Sequence, residues 1–247
     1  MATNKTIALI TGANQGIGLA TATILAKQHG YHVIIGSRTH ANGLKVANDL
    51  KSAGFSADAI QLDLTSDTSI AAATTYLTTT YGHLDVLINN AAIFLDGNFS
   101  ANLPTRELYA QTFSTNVTGT ACVTESLLPL LRASAQRPRL IFMTSRMGSL
   151  AVSLDPNTHF YNLDCRAYDA SKAAVNILMV NYARILGGGA FVNAVCPGLV
   201  KTRLVGFSEM GASAEVGAER VVELATLTGR ACEVSGTLTD RDGTVPW

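Results

Sequence analysis

"TIALITGANQGIGLATATILAKQHG", residues 6–30, decides how the rest of the chain is read. It opens with a short apolar run, Thr6–Thr11, of strand length. It closes with a helical pattern that stops at Gly30, with Lys27 and His29 in its last turn. Between them "TGANQGIG", Thr11–Gly18, places three glycines at a strand-to-helix turn. Gly12 permits the tight reversal, Gly16 lets backbone approach a pyrophosphate without a clashing Cβ, and Gly18 allows the helix to pack closely on the sheet. Unpaired N–H groups and partial positive charge at a helix start suit phosphate oxygens. Glycine-rich turns are common, but this one has the strand–turn–helix context a dinucleotide loop requires. Its GxxxGxG spacing differs from GxGxxG and from a phosphate loop ending in Lys-Ser or Lys-Thr.

The same alternation continues outward. "HVIIGS", "ADAIQLDL", "LDVLIN", "RLIFMTS" and "AFVNAVCP" are strand candidates, and "GTLT" adds a seventh. Helical patterns lie between them, among them Asp67–Tyr81 and one long helix from about Arg106 to Leu131. Nearly continuous apolar strands belong to a parallel sheet buried on both faces. The predicted fold is therefore α/β, a single Rossmann-type doubly wound parallel sheet of about seven strands with helices on both faces. No linker or repeat divides it, so residues 1–247 form one expected domain. Residues 1–92 are mainly its dinucleotide-binding half and residues 93–247 its catalytic and substrate half.

The composition narrows the function classes. Of 247 residues, 47% are hydrophobic and 15% charged, ample for a core, and the formal net charge is zero. Nucleic acid and anionic membranes thus find no electrostatic partner here. The N-terminal apolar stretch is too short and glycine-broken for a signal peptide, and no later one reaches bilayer length. Cys122, Cys165, Cys196 and Cys232 form no CxxC pair, which fits reduced thiols in a cytoplasmic protein. The five histidines lack ligand spacing, so no metal site is expected.

Two further stretches carry chemistry. In "YDASK", Tyr168 and Lys172 stand at i and i+4 ahead of the apolar run "AAVNILMV", so on a helix they share one face. A nearby ammonium favours the phenolate, which is expected to lower the tyrosine pKa toward neutrality. In "GSRTH", the second strand ends on Ser37 where an acid would bind ribose hydroxyls, and Arg38 follows. A guanidinium suits a 2′-phosphate, so NADP(H) is expected over NAD(H).

With "TGANQGIG", "LINNAA", "FMTS" and "YDASK" in that order, the chain resembles the short-chain dehydrogenase/reductase family over essentially its whole length. The resemblance implies a catalytic set of Ser145, Tyr168 and Lys172, with Asn116 of "STNVTG" holding a water in a proton relay. It implies cofactor contacts at Gly12, Asn14, Gln15, Gly16, Ile17 and Gly18, at Ser37 and Arg38, and at Asp63 and Leu64 beside the adenine. Asn90 and Ala91, Tyr168 and Lys172, and Pro197, Gly198, Val200 and Thr202 of "CPGLVKT" would line the nicotinamide end. Two departures stand out. Ala92 replaces the usual glycine after Asn-Asn-Ala, and Ser145 and Tyr168 are about ten residues further apart than usual. The extra segment, "VSLDPNTHFYNLD", resembles insertions of carbonyl-reductase-like members.

The implied reaction is reduction of a ketone or aldehyde, or oxidation of the secondary alcohol, with Tyr168 as general acid or base and Ser145 donating to the developing oxyanion. Pocket candidates are Phe94, Met147, Tyr161, Val205 and Phe207, with Ile93, Leu95, Ser149, Leu150, Phe160, Leu204 and Met210 nearby. They are largely apolar and imply a neutral, hydrophobic small-molecule substrate. Two alternatives stay open: an epimerase, dehydratase or cyclase using the same site, and a non-catalytic NADP(H)-binding protein. Relatives commonly form homodimers or homotetramers through their long fourth and fifth helices; the insertion before Tyr168 leaves a monomer open.

Overall fold

The computed structural model describes residues 5–96, 103–228 and 235–247. Cys232 and the first four residues of the N-terminal stretch lie outside them. The chain runs β1 (Ile7–Thr11), α1 (Gly16–His29), β2 (His32–Ser37), α2 (His40–Ser52), β3 (Ala57–Gln61), α3 (Asp67–Thr80) and β4 (Val86–Asn89). It continues with α4 (Thr105–Phe113), a π-helical stretch (Ser114–Gly119), α5 (Thr120–Arg132), β5 (Arg139–Met143) and a short 3₁₀ turn (Arg146–Gly148). Then come α6 (Leu150–Ser153), α7 (Arg166–Leu186), β6 (Phe191–Val195), α8 (Ala214–Ala225), β7 (Leu238–Asp240) and β8 (Gly243–Thr244).

The strands form one sheet in the order β3-β2-β1-β4-β5-β6-β7-β8. All neighbours are parallel except β7 and β8. Among the described residues the sheet therefore has eight strands rather than about seven. The extra one is a two-residue return after a turn at Asp240–Gly243, where Asp242 N–H donates to Asp240 Oδ1 at 2.9 Å and Gly243 has φ +128°. So short a strand leaves no periodic signal.

Period-two alternation splits each strand between two cores. Ile7 and Leu9 of β1 join α3, α5 and α7 residues such as Leu77, Leu127, Val175 and Met179 on one face. Ala8 and Ile10 join Leu25 of α1, Val46 and Leu50 of α2 and Val221 of α8 on the other. Strand order reverses between β1 and β4, and the carboxyl ends of those strands are where an open α/β sheet binds ligands.

The single long helix expected over about Arg106–Leu131 is interrupted. A π-helical stretch at Ser114–Gly119 separates α4 from α5. It brings Gly119 against the loop after β3, where an added Cβ would lie 2.4 Å from the Leu64 carbonyl oxygen. Such insertions in a helix frequently mark functional positions, and this one carries Asn116. Among the described residues no helix is long and apolar enough to cross a membrane.

Candidate active site

The glycine turn is held by the ends of two neighbouring strands. Thr11 Oγ1 accepts the N–H groups of Asn90 and Ala91, each at 2.9 Å. Asn90 Nδ2 donates to the carbonyls of Thr11 at 2.7 Å and Gly12 at 3.3 Å. Gly12 and Gly16 have φ +64° and +57°, a region that disfavours any side chain. At Gly18 an added Cβ would meet Asn90 Nδ2 at 2.6 Å and Gly12 O at 2.9 Å. Gln15, the residue before α1, makes no side-chain cap at the start of that helix. Its first N–H groups are thus left for an external acceptor.

The loop after β6 lies over this turn. An added Cβ on Gly16 would approach Thr202 Cγ2 to 3.3 Å, and one on Gly217 would meet Val200 Cγ2 at 2.6 Å and Ile17 Cγ1 at 3.4 Å. At the end of β2, Ser37 is buried and donates to Thr39 O at 2.9 Å, while the Arg38 side chain is exposed. Asp63 Oδ1 accepts from Thr65 N and Oγ1 at 2.9 and 2.8 Å, so its second oxygen is the one left for a ligand. The neighbouring Leu64 is buried beneath Gly119. A cradle of close glycines, an uncapped helix start and an exposed guanidinium fits a phosphorylated dinucleotide.

The predicted catalytic residues converge on α7. Lys172 Nζ lies 5.4 Å from the centre of the Tyr168 ring, on the same helix face. Lys172 is 3% exposed and donates to Met143 O at the end of β5, at 2.9 Å. The Tyr168 ring packs on Phe94 with centroids 4.7 Å apart. The loop bearing Ser145 is bolted to α7 from below. Thr144 Oγ1 donates to Asn176 Oδ1 at 2.7 Å, and Asn176 Nδ2 donates to Gly148 O at 3.0 Å. A Cβ on Gly148 would sit 2.6 Å from the Lys172 carbonyl carbon, so only glycine allows this approach. Ser145 Oγ accepts from Met147 N at 3.1 Å, which leaves its proton to donate outward.

One expectation needs correction here. Burial raises the Tyr168 pKa above the ordinary phenol value, helped by negative charge at Cys196, Asp169 and Cys165. The expected lowering by Lys172 is outweighed, because burial desolvates the lysine as well and its own pKa falls to about 8. The Asn116 side chain is engaged by protein partners. Its Oδ1 accepts from Ile93 N at 2.8 Å, and its Nδ2 donates to Ile93 O at 2.9 Å and Ser171 Oγ at 3.0 Å. Ser171 in turn donates to Tyr168 O at 2.7 Å, so Asn116 ties the strap after β4 to the catalytic helix.

Of the substrate candidates, Phe94 and Met147 touch this set. Tyr161 is 47% exposed on the insertion, and Phe207 is 57% exposed with φ +58°, a strained value for a non-glycine residue. Val205 is half-buried at the end of a 3₁₀ turn, Arg203–Val205. Ser149 is not a pocket residue: it caps α6, accepting from Val152 N at 3.1 Å and donating to Pro246 O at 2.6 Å. A cavity of about 490 Å³ between α1 and α2 reaches this region only at Asn14 and Gln15. Another, about 410 Å³, lies between the insertion and the β7–β8 turn, bordered by Arg146, His159, Phe160, Gly198 and Asp240. Phe94, Met147, Tyr161, Val205 and Phe207 do not border it. Sequence reading also missed Asp96, Thr144, Asn176 and the Arg146–Asp240 ion pair that anchors the Ser145 loop to β7. Only Asp96 had a local signal, a lone acid ending the apolar run "AAIFLD".

The comparisons agree with this geometry. A family model described as short chain dehydrogenase matches residues 6–211. The chain therefore belongs to the short-chain dehydrogenase family, whose members are oxidoreductases using NAD(P). It is 35% identical to the short-chain dehydrogenase anuI of Penicillium roqueforti, over 99% of this chain and 97% of that protein. Identity to carbonyl reductase (NADPH) 1 of Sus scrofa is 32%, over 100% of this chain and 96% of that one. Among solved structures, salutaridine reductase from Papaver somniferum superposes with a TM-score of 0.78 at 26% identity, covering 95% of this chain and 99% of that chain.

Proposed function

We propose that the protein is an NADP(H)-dependent reductase of a ketone or aldehyde on a hydrophobic small molecule. The observation that carries this reading is the shared face of Tyr168 and Lys172 on α7, with the Ser145 loop locked against the same helix through Gly148. Bound NADP(H) supplies or accepts the hydride. Everything else falls to side chains of this chain. Tyr168, held protonated by burial, is the acid that gives its proton to the carbonyl oxygen. Ser145 donates a hydrogen bond to that oxygen as charge develops on it. Lys172, with its pKa near 8, exchanges a proton readily around neutrality and holds positive charge beside the phenolate left by transfer.

Gly12, Gly16 and the start of α1 would hold the pyrophosphate, Arg38 the 2′-phosphate, and the loop from Pro197 to Thr202 the nicotinamide end. The NADPH specificity named for the Sus scrofa relative supports this preference. Replacing Tyr168 by Phe is expected to reduce ketone-dependent NADPH oxidation by at least about 100-fold while fluorescence titration still shows NADPH binding. Retained turnover refutes the assignment. Arg38→Asp is expected to weaken NADPH binding roughly 10-fold or more and spare NADH. An unchanged ratio removes the NADP(H) preference.

Assembly follows the same reading: Ile177 and Ile185 expose apolar surface on α7, consistent with pairing of two copies through that helix and α5. Light scattering on the purified chain tests it.

A further inference from the structure

The segment Asn90–Asp96 runs from the glycine turn to the catalytic helix. At its start Asn90 and Ala91 hold Thr11 and Gly12. In its middle Ile93 is gripped at both backbone groups by Asn116, and Phe94 packs on the Tyr168 ring. At its end lies Asp96, only 3% exposed. Its Oδ1 accepts the N–H of Ala167 at 2.8 Å and its Oδ2 that of Tyr168 at 3.0 Å.

These N–H groups belong to the first turn of α7, where no intrahelical partner exists. The residue before the helix, Cys165, supplies no side-chain cap. The cap comes instead from a carboxylate more than seventy residues away in sequence. A carboxylate at this end also meets the positive pole of a 21-residue helix. Both oxygens are spent on adjacent N–H groups, and one of those is the amide of Tyr168 itself.

We propose that Asp96 is a positioning residue for Tyr168: a buried carboxylate that fixes the start of α7, and with it the phenol, relative to the strap carrying the cofactor turn. The inference rests on the reductase reading only in taking Tyr168 as the acid. Charged and titratable groups around the cap are Asp169 and Arg166 on α7 and Asp164 and Cys165 before it.

The test uses full-length protein with ¹³C-labelled tyrosine rings and ¹⁵N-labelled amides, the Tyr168 ring signal being assigned with Tyr168→Phe. Asp96→Asn keeps the shape but turns one acceptor into a donor facing an N–H; Asp96→Ser is the second variant, with one short acceptor. Amide exchange at Ala167 and Tyr168 is expected to quicken about 10-fold or more, while Leu9 and Ile34 in the sheet stay protected. The Tyr168 ring resonance is expected to move, and NADPH affinity by fluorescence to stay within about twofold. With acetophenone or another aromatic ketone that the wild type reduces, kcat should fall roughly 10-fold and KM for NADPH should hold. Unchanged exchange at Ala167 and Tyr168 overturns the proposal. So does faster exchange with an unmoved ring resonance, or loss of sheet protection in both variants, which makes Asp96 a global stability element. A wild type that reduces no ketone sinks the reductase reading, and the exchange and ring signals still decide Asp96.

Discussion

Asp169, next to the proposed acid, carries a stability penalty whose pH dependence is worked out from the structure. The side chain is half-buried, its Oδ1 has no hydrogen-bond partner, and Asp96 and Asp164 add negative charge nearby. Burial first, and those two carboxylates second, push its pKa up from 3.8 to about 7. The folded protein therefore holds a proton that the unfolded chain releases between these values. This contribution favours folding below about pH 4 and is lost as pH rises through 7. At 1.36 kcal/mol per tenfold change the ceiling is about 4 kcal/mol, and solvent screening of a half-buried group reduces it to roughly 1–2 kcal/mol. Asp169→Asn removes the titration and keeps the shape. In urea unfolding from pH 5 to 9, the stability of Asp169→Asn relative to wild type should rise by about 1–2 kcal/mol and level off above pH 8. A difference that stays flat with pH, or falls, would refute the reasoning.

The other two predictions concern packing and the far end of the sheet. Gly148→Ala places a Cβ within 2.6 Å of α7 backbone, so it should cost about 1–3 kcal/mol by thermal melt and cut kcat more than it weakens NADPH binding. An active, fully stable Gly148→Ala would show that the Ser145 loop is not locked to α7. Tyr81 Oη donates to Asp58 Oδ2 at 2.6 Å and meets His32 Nε2 at 2.9 Å. Burial raises the Asp58 pKa, but hydrogen bonds from Lys51 and Tyr81 outweigh it and hold the carboxyl below the usual range. That stability is present above pH ~4 and is lost as pH falls. Tyr81→Phe should therefore cost about 1 kcal/mol at pH 7 and less at pH 4, measured by urea midpoints at both. An equal cost at both values removes the ionic part of the account.

What the chain declares locally it declares well. Gly12, Gly16 and Gly18 between a strand and a helix are legible because each answers a backbone demand within eight residues. Tyr168 and Lys172 are legible because helical spacing alone puts them on one face. The strand runs are legible because a sheet covered on both sides needs apolar residues at every position. None of that reasoning reaches contacts between distant segments. The cap from Asp96 to α7, the Thr144–Asn176–Gly148 tie and the π-helical stretch that turns Asn116 toward Ile93 exist only once the sheet has stacked its helices. The ionisation of Tyr168 is decided at the same level. Sequence places a cation four residues away, which lowers a phenol pKa, whereas folding buries Lys172 and covers much of Tyr168, and desolvation outweighs a charge that is itself costly to keep buried.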